Sequence, residues 1–281
     1  MNQKDSWWKS AKIVPLQSNR EMIMRTRIFL LLLMFATLLQ AQEAVNEEAL
    51  AVSADRPGMA TGVNVLPFKT VQWETGVQWD YSNKTHSLTL PTTMLRIGVT
   101  SFAELRLQYD GTLAQGNTLE DKWTYGVEPI TLGTKIKIFD GWKAVPKVSF
   151  LANICLPATK EQYETSYVAP SIYLLFENDV TDWLNLCYNV GLEWNGVDAT
   201  PSTFVALCLG FAMGEQWGAF VESYNYFTRL STGTEAEWNL DAGFTYMPHH
   251  RVQLDVYASI NCQEPAMYSN VGLGVAWLIN P

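Results

Sequence analysis

Glu74, Arg96, Glu104 and Arg106 are the residues of this chain whose types and spacing could do chemistry. They stand on the polar side of three consecutive runs in which apolar and polar residues alternate. Successive side chains of a β-strand point to opposite faces, so the four should converge on one face of neighbouring strands. Lys135, Lys137 and Glu222 hold the same polar parity on later runs, as do Asp80, Lys147, Glu177, Glu193, Asp241 and Asp255. A buried charge without a partner is very costly, so this face must meet water or pair across strands. Two readings follow: a lining that contacts a passing solute, or a salt-bridge network that stiffens and blocks the interior.

Catalysis finds no matching pattern. Of the three histidines, His86 falls in a polar loop and His249 and His250 in a link between runs. None lies in a strand beside a serine, as a membrane-embedded lipase triad would need. No nucleophile-elbow, phosphate-loop or dinucleotide motif occurs. Cys155, Cys187, Cys208 and Cys262 form no Cys-x-x-Cys pair and have no histidine at ligand spacing. No catalytic residue, metal or cofactor is assigned, and a lipid-modifying barrel enzyme ranks below a non-enzymatic role.

The elements that must position the charged face are strands. Val71 to Tyr81 sets Val71, Trp73, Thr75, Val77, Trp79 and Tyr81 against Gln72, Glu74, Gly76, Gln78 and Asp80. A run of this length, at about 3.3 Å per residue and tilted, reaches across a bilayer. The alternation recurs to Asn270–Ile279, giving about twelve strands, the even number that outer-membrane barrels use. Short links at Thr100-Ser101, Asp140-Gly141, 179–182, Gly214-Glu215 and 248–251 alternate with longer polar ones, including 82–87 and 111–122. The fold class is therefore all-β: a transmembrane antiparallel up-and-down β-barrel with short periplasmic turns and longer outer loops. Trp73, Trp79, Tyr81, Trp194, Trp217 and Trp277 are the expected lipid-interface aromatics.

Ahead of the strands, Arg25 and Arg27 precede the apolar run Ile28–Leu39, which ends at a small residue, Ala41. This is the layout of a secretory signal peptide, with Met22 and Met24 as alternative starts. Residues 1–41 are thus an extension and cleaved leader, 42–67 a periplasmic lead or plug carrying Asp55, Arg56 and Pro57, and 68–281 the barrel. The whole chain carries a formal charge of −9, and losing the basic leader makes the remainder more acidic. Nucleic acid is disfavoured as a partner. The expected partners are outer-membrane lipid, the barrel assembly machinery and a small-molecule solute, in the outer membrane of a Gram-negative bacterium. A soluble periplasmic β-protein is the rival that extraction without detergent would reveal.

Asp55-Arg56-Pro57-Gly58, Val71-Gln72-Trp73-Glu74-Thr75-Gly76, Leu90-Pro91-Thr92 running into Leu95-Arg96-Ile97-Gly98, and Phe102-Ala103-Glu104-Leu105-Arg106 together resemble one family. It is that of the outer-membrane transporters of the phenol-degradation meta-pathway; the Phe220-Val221-Glu222 strand is similar too. The resemblance implies a twelve-stranded type of barrel that admits small aromatic or apolar molecules. One departure is the ending, Trp277-Leu278-Ile279-Asn280-Pro281, where barrels of this kind usually close on an aromatic residue. The alternative function is a structural or adhesive barrel with a side-chain-filled lumen.

Overall fold

A computed structural model describes residues 50–82, 85–115, 122–157, 167–197, 199–263 and 268–279. The leader and the start of the lead lie outside the described residues. The strands are β1 (Val71–Ser82), β2 (Thr85–Gly98), β3 (Ala103–Gln108), β4 (Gly111–Gln115), β5 (Trp123–Val127), β6 (Thr131–Phe139), β7 (Lys147–Cys155), β8 (Ala169–Asp179), β9 (Leu184–Glu193), β10 (Ser202–Met213), β11 (Trp217–Leu230), β12 (Gly233–His249), β13 (Val252–Asn261) and β14 (Tyr268–Ile279). All pairings are antiparallel, and β1 pairs with both β2 and β14, so the sheet closes on itself.

β3 and β4 run against β2, while β6 and β5 run against β3 and β4. Each couple is one broken stave, and the result is a closed barrel of 12 strands. Asp110 makes the break. Its carboxylate accepts the Thr93 N–H at 2.7 Å, taking the place of a backbone partner, and its own carbonyl accepts the Glu128 N–H at 2.9 Å.

The two faces of the wall have opposite chemistry. Arg96, Glu104 and Lys135 are each 0 % exposed, whereas Leu105, Ile138 and Leu273 are 51, 58 and 57 % exposed. A soluble protein would put these groups the other way round. A bilayer explains the inversion: lipid takes the apolar face, and closure leaves no sheet edge with unpaired backbone groups in hydrocarbon. Trp73 and Trp277 are register partners near the end with the short turns, and Trp217 packs against Tyr246 at that same end. Trp79 and Tyr81 stand near the opposite, loop end of β1, exposed outward. Trp194 differs from its five companions: it lies just beyond β9, half-buried, donating its indole N–H to the Ala199 carbonyl.

Three connections depart from the sequence reading. The β1–β2 ladder continues to Ser82↔Thr85, so the expected loop 82–87 shrinks to the two residues between them. The β11–β12 ladder continues to Leu230↔Gly233, where the apolar period had already stopped near Thr228. Strand beyond the apolar band needs no apolar face, so alternation vanishes while the pairing goes on. The stretch 111–122, read as a loop, begins with β4, hidden by the Asp110 break.

Candidate functional site

A chain segment laid across a barrel interior has no strand to pair with, since the wall spends its backbone groups on its own ladder. Leu50–Lys69 is in that position, and charged and amide side chains of the wall supply its partners. The Ser53 N–H and carbonyl pair with the Gln72 amide at 3.1 and 3.0 Å. The Asp55 and Arg56 N–H groups donate to the Glu74 carboxylate at 3.2 and 3.3 Å. Met59 and Ala60 N–H groups share one oxygen of Glu222, at 3.1 and 2.7 Å. Thr61 is clasped by the Asn189 amide at 2.7 and 3.0 Å, and the Val63 carbonyl accepts from Ser149 at 2.6 Å. Leu66 N–H donates to Glu104 at 2.7 Å, after which Lys69 N–H donates to the Gly98 carbonyl at 2.9 Å and the chain enters β1.

These contacts trace a path. The lead starts by the β12–β13 turn, where the Val52 N–H donates to the His250 carbonyl at 2.7 Å. It climbs the β1 wall, crosses at 57–60 to β11, and returns past β9, β7 and β3. Apolar contacts pin both ends: Leu50, Val52 and Leu66 pack on Ala276 and Leu278, and Val63 packs on Leu151 and Leu175. The exit needs a glycine. A Cβ on Gly98 would overlap the Pro67 carbonyl oxygen, so only a bare backbone lets the chain pass.

At the centre of the segment lies an ion cluster. Asp55 accepts from Arg106 at 2.7 Å and Lys135 at 2.8 Å, with Arg96 at 3.5 Å. Arg96 also binds Glu74 at 3.0 Å and Glu104 at 2.9 Å. Three cations thus meet three anions. Lys135 completes its shell with the Gly62 and Asn64 carbonyls at 2.9 and 3.1 Å. Burial would raise the Asp55 pKa; Arg96, Lys135 and Arg106, in that order, outweigh it and hold the carboxyl below its ordinary range. One step further in, Arg56 makes a two-pronged pair with Asp255 at 2.9 and 3.1 Å and donates to Thr92 at 3.0 Å. Its guanidinium lies in a notch over Gly76 and Gly274, which face each other across β1 and β14.

The sequence-derived set therefore divides. Glu74, Arg96, Glu104, Arg106 and Lys135 form one cluster, in which Arg106 binds Asp55 rather than Glu74. Lys137 stays out: it pairs with Asp140 at 2.8 Å near the β6–β7 turn, 35 % exposed. Glu222 stands apart on β11, holding the tip of the lead. The alternation gives Asp255 only as an inward charge and Asp55 only as part of the periplasmic lead, and it does not single out Asn189. A lone acid in an aperiodic stretch carries no signal of the three cations it will meet. Of the histidines, His249 and His250 lie side by side in the β12–β13 turn, ring centroids 4.0 Å apart and tilted by 36°.

The lead divides the interior into separate spaces. On the turn side a cavity of about 770 Å³ is lined by Asp55–Gly58, Glu177, Cys208 and Phe220. On the loop side a cavity of about 410 Å³ is lined by Asp55–Met59, Arg106, Asp110 and Tyr173. A second loop-side chamber of about 820 Å³ meets Pro57 and Met59 and is walled by β11 to β14.

A closed barrel with an apolar outer belt, a charged inner wall and a lead folded into it belongs to the class of outer-membrane-type β-barrels. The chain is a member of the family described as "Putative MetA-pathway of phenol degradation", whose model matches residues 54–279 and so takes in the inserted lead as well as the strands. None of the curated proteins compared with the chain matches it. Among solved structures, an outer membrane channel from Pseudomonas putida F1 superposes with a TM-score of 0.59 at 11 % identity, covering 80 % of this chain and 99 % of that one. The NanC porin superposes with a TM-score of 0.51 at 8 % identity, covering 72 % and 98 %. At such identities the likeness is one of fold.

Proposed function

We propose that this protein is an outer-membrane channel for small solutes and that the inserted lead controls its path. The observation that carries the reading is the open space on both sides of Asp55–Met59, about 770 Å³ toward the turns and about 820 Å³ toward the loops. A barrel built only as a scaffold would fill such volumes with side chains, because interiors otherwise pack densely. In this reading the short turns and the lead face the periplasm, and solutes pass the Asp55–Met59 partition by displacing part of it. Family membership supports small aromatic or apolar molecules as the solutes. No chemical step is assigned to the barrel.

A second reading has one observation in its favour: the lead hydrogen-bonds in turn to β1, β11, β9, β7 and β3. That is the anatomy of a permanently shut structural barrel. Reconstitution into planar lipid bilayers separates the two. Discrete conductance steps are expected from the wild type, larger in a variant whose lead is loosened. Folded barrels that stay silent in both forms would establish the shut scaffold instead.

A further inference from the structure

The loop-side chamber has a wall of one electrical sign. Glu235, Glu237, Asn239 and Asp241 are successive inward positions of β12 and line it together. Across the ladder Tyr226 stands opposite Glu237, Tyr224 opposite Asn239, and Glu222 opposite Asp241. Tyr257 and Tyr268 close the other side. Among the described residues lining this chamber there is no lysine, arginine or histidine. The neighbouring loop-side cavity adds Asp110, Glu128 and Glu193, while its Arg56 and Arg106 are already engaged by Asp255 and Asp55.

Some acceptors of the wall are also unmet. Asp241 and Asn270 line the chamber, are 5 and 8 % exposed, and each keeps one side-chain oxygen with no partner among the described residues. Glu222, at the foot of this wall, keeps its Oε2 unpartnered beside Asp241. Several donors near them are spoken for: Tyr224 exchanges a hydrogen bond with Ser259 at 2.8 Å, Asn261 donates to Asn239 at 3.0 Å, and Tyr268 donates to Asp80 at 2.6 Å. A buried acceptor left without a donor is costly. A guest that brings positive charge is drawn to this wall, and one that brings negative charge is repelled.

We infer that this chamber binds small organic cations, with an ammonium group at the Asp241 carboxylate and its body against the tyrosines. Tyrosine faces attract cations and accept apolar bodies alike, and a low-dielectric funnel of one sign concentrates the opposite ion at its mouth. The volume of about 820 Å³ holds a single-ring amine with room to spare. The same wall turns away benzoate-like anions. This deepens the channel reading and rests on it for physiological meaning; the binding itself does not require conduction.

The test uses the full folded barrel in detergent micelles and three ring compounds of matched size: benzylammonium, benzyl alcohol and benzoate. Titration calorimetry should show saturable binding of benzylammonium and none of benzoate over the same range. Asp241→Asn should weaken benzylammonium about tenfold, and Glu237→Gln, at an exposed position that folding does not depend on, should weaken it in the same direction by less. Equal affinity for benzylammonium and benzyl alcohol, binding of benzoate, or indifference to both variants would each overturn the inference. In bilayers under a potassium chloride gradient, the reversal potential should favour the cation. Intact benzylammonium binding in a barrel that never conducts would support the site and remove the transport reading alone.

Discussion

Neutralising Asp55 should free the lead without unfolding the barrel. In Asp55→Asn the three-against-three cluster becomes a cluster with one cation in excess, since Arg106 and Lys135 lose the oxygens at 2.7 and 2.8 Å that balance them. Removing one partner of a buried ion pair typically costs about 3–5 kcal/mol. Lys135 keeps two backbone carbonyls and Arg96 keeps Glu74 and Glu104, which places the cost near the lower end, about 3 kcal/mol. That is about a hundredfold in the docking equilibrium of the lead. The strands do not share the loss, because their ladders run uninterrupted through the same positions. In lipid-reconstituted protein, a broad-specificity protease should cut between residues 50 and 69 in the variant and spare them in the wild type, while the barrel keeps its heat-dependent gel migration. Bilayer conductance should rise in parallel. Asp55→Asn combined with Arg106→Met restores the charge balance and should win back part of the protection. Equal protection and equal conductance in wild type and Asp55→Asn would refute the argument that this cluster holds the lead. The pH dependence of this contact has a definite sign. The Asp55 pKa is depressed on docking, so its contribution is fully present above its ordinary value of 3.8 and fades only as pH falls below it; the protection that Asp55 itself supplies should be lost only on acidification below that value.

Three further outcomes follow from the same geometry. Arg56→Ala removes both prongs to Asp255 and empties the notch over Gly76 and Gly274, so single-channel conductance should increase; Arg56→Lys should not restore the wild-type level, since an ammonium cannot make the two-pronged pair. Glu222→Gln should leave the lead docked, because the amide oxygen can still take the Met59 and Ala60 N–H groups, while Glu222→Leu strands both donors and should expose 57–61 to protease. On the outer face, Leu273→Arg puts a charge where lipid meets mid-β14 and should lower folding stability in bilayers by about 2–4 kcal/mol, read from reversible denaturant titration.

The barrel was legible because lipid imposes a period. Where a strand crosses hydrocarbon, as at Trp73, Leu105, Ile138 or Leu273, every second residue must be apolar and the sequence shows it. Where lipid stops, the rule stops. Residues 229–230 and 233–237 lie on strand that extends past the apolar band, and nothing in their composition separates paired backbone from loop. Asp110 misled in a different way: a side chain standing in for a backbone acceptor splits a stave locally, and that substitution reads as an ordinary polar turn.

The inner face was legible in membership and not in purpose. Parity alone put Glu74, Arg96, Glu104, Arg106 and Lys135 inside, and both readings then open, solute lining or salt-bridge network, assumed that their partners were each other or water. The missing partner was a strand-less stretch of backbone. An extended segment laid in a lumen must have its N–H and carbonyl groups met by side chains, and the acids of the wall meet N–H groups at Asp55, Arg56, Met59, Ala60 and Leu66, while its bases meet carbonyls at Gly62 and Asn64. Much of the charge inside this barrel is thus the complement of a docked peptide. It follows that undocking the lead would expose unmatched acids on one side and unmatched bases on the other, and the path so opened would differ in charge from the closed one. What remains unengaged by the lead, Asp241, Glu237 and Glu235 with their tyrosines, is where a solute would first meet the wall.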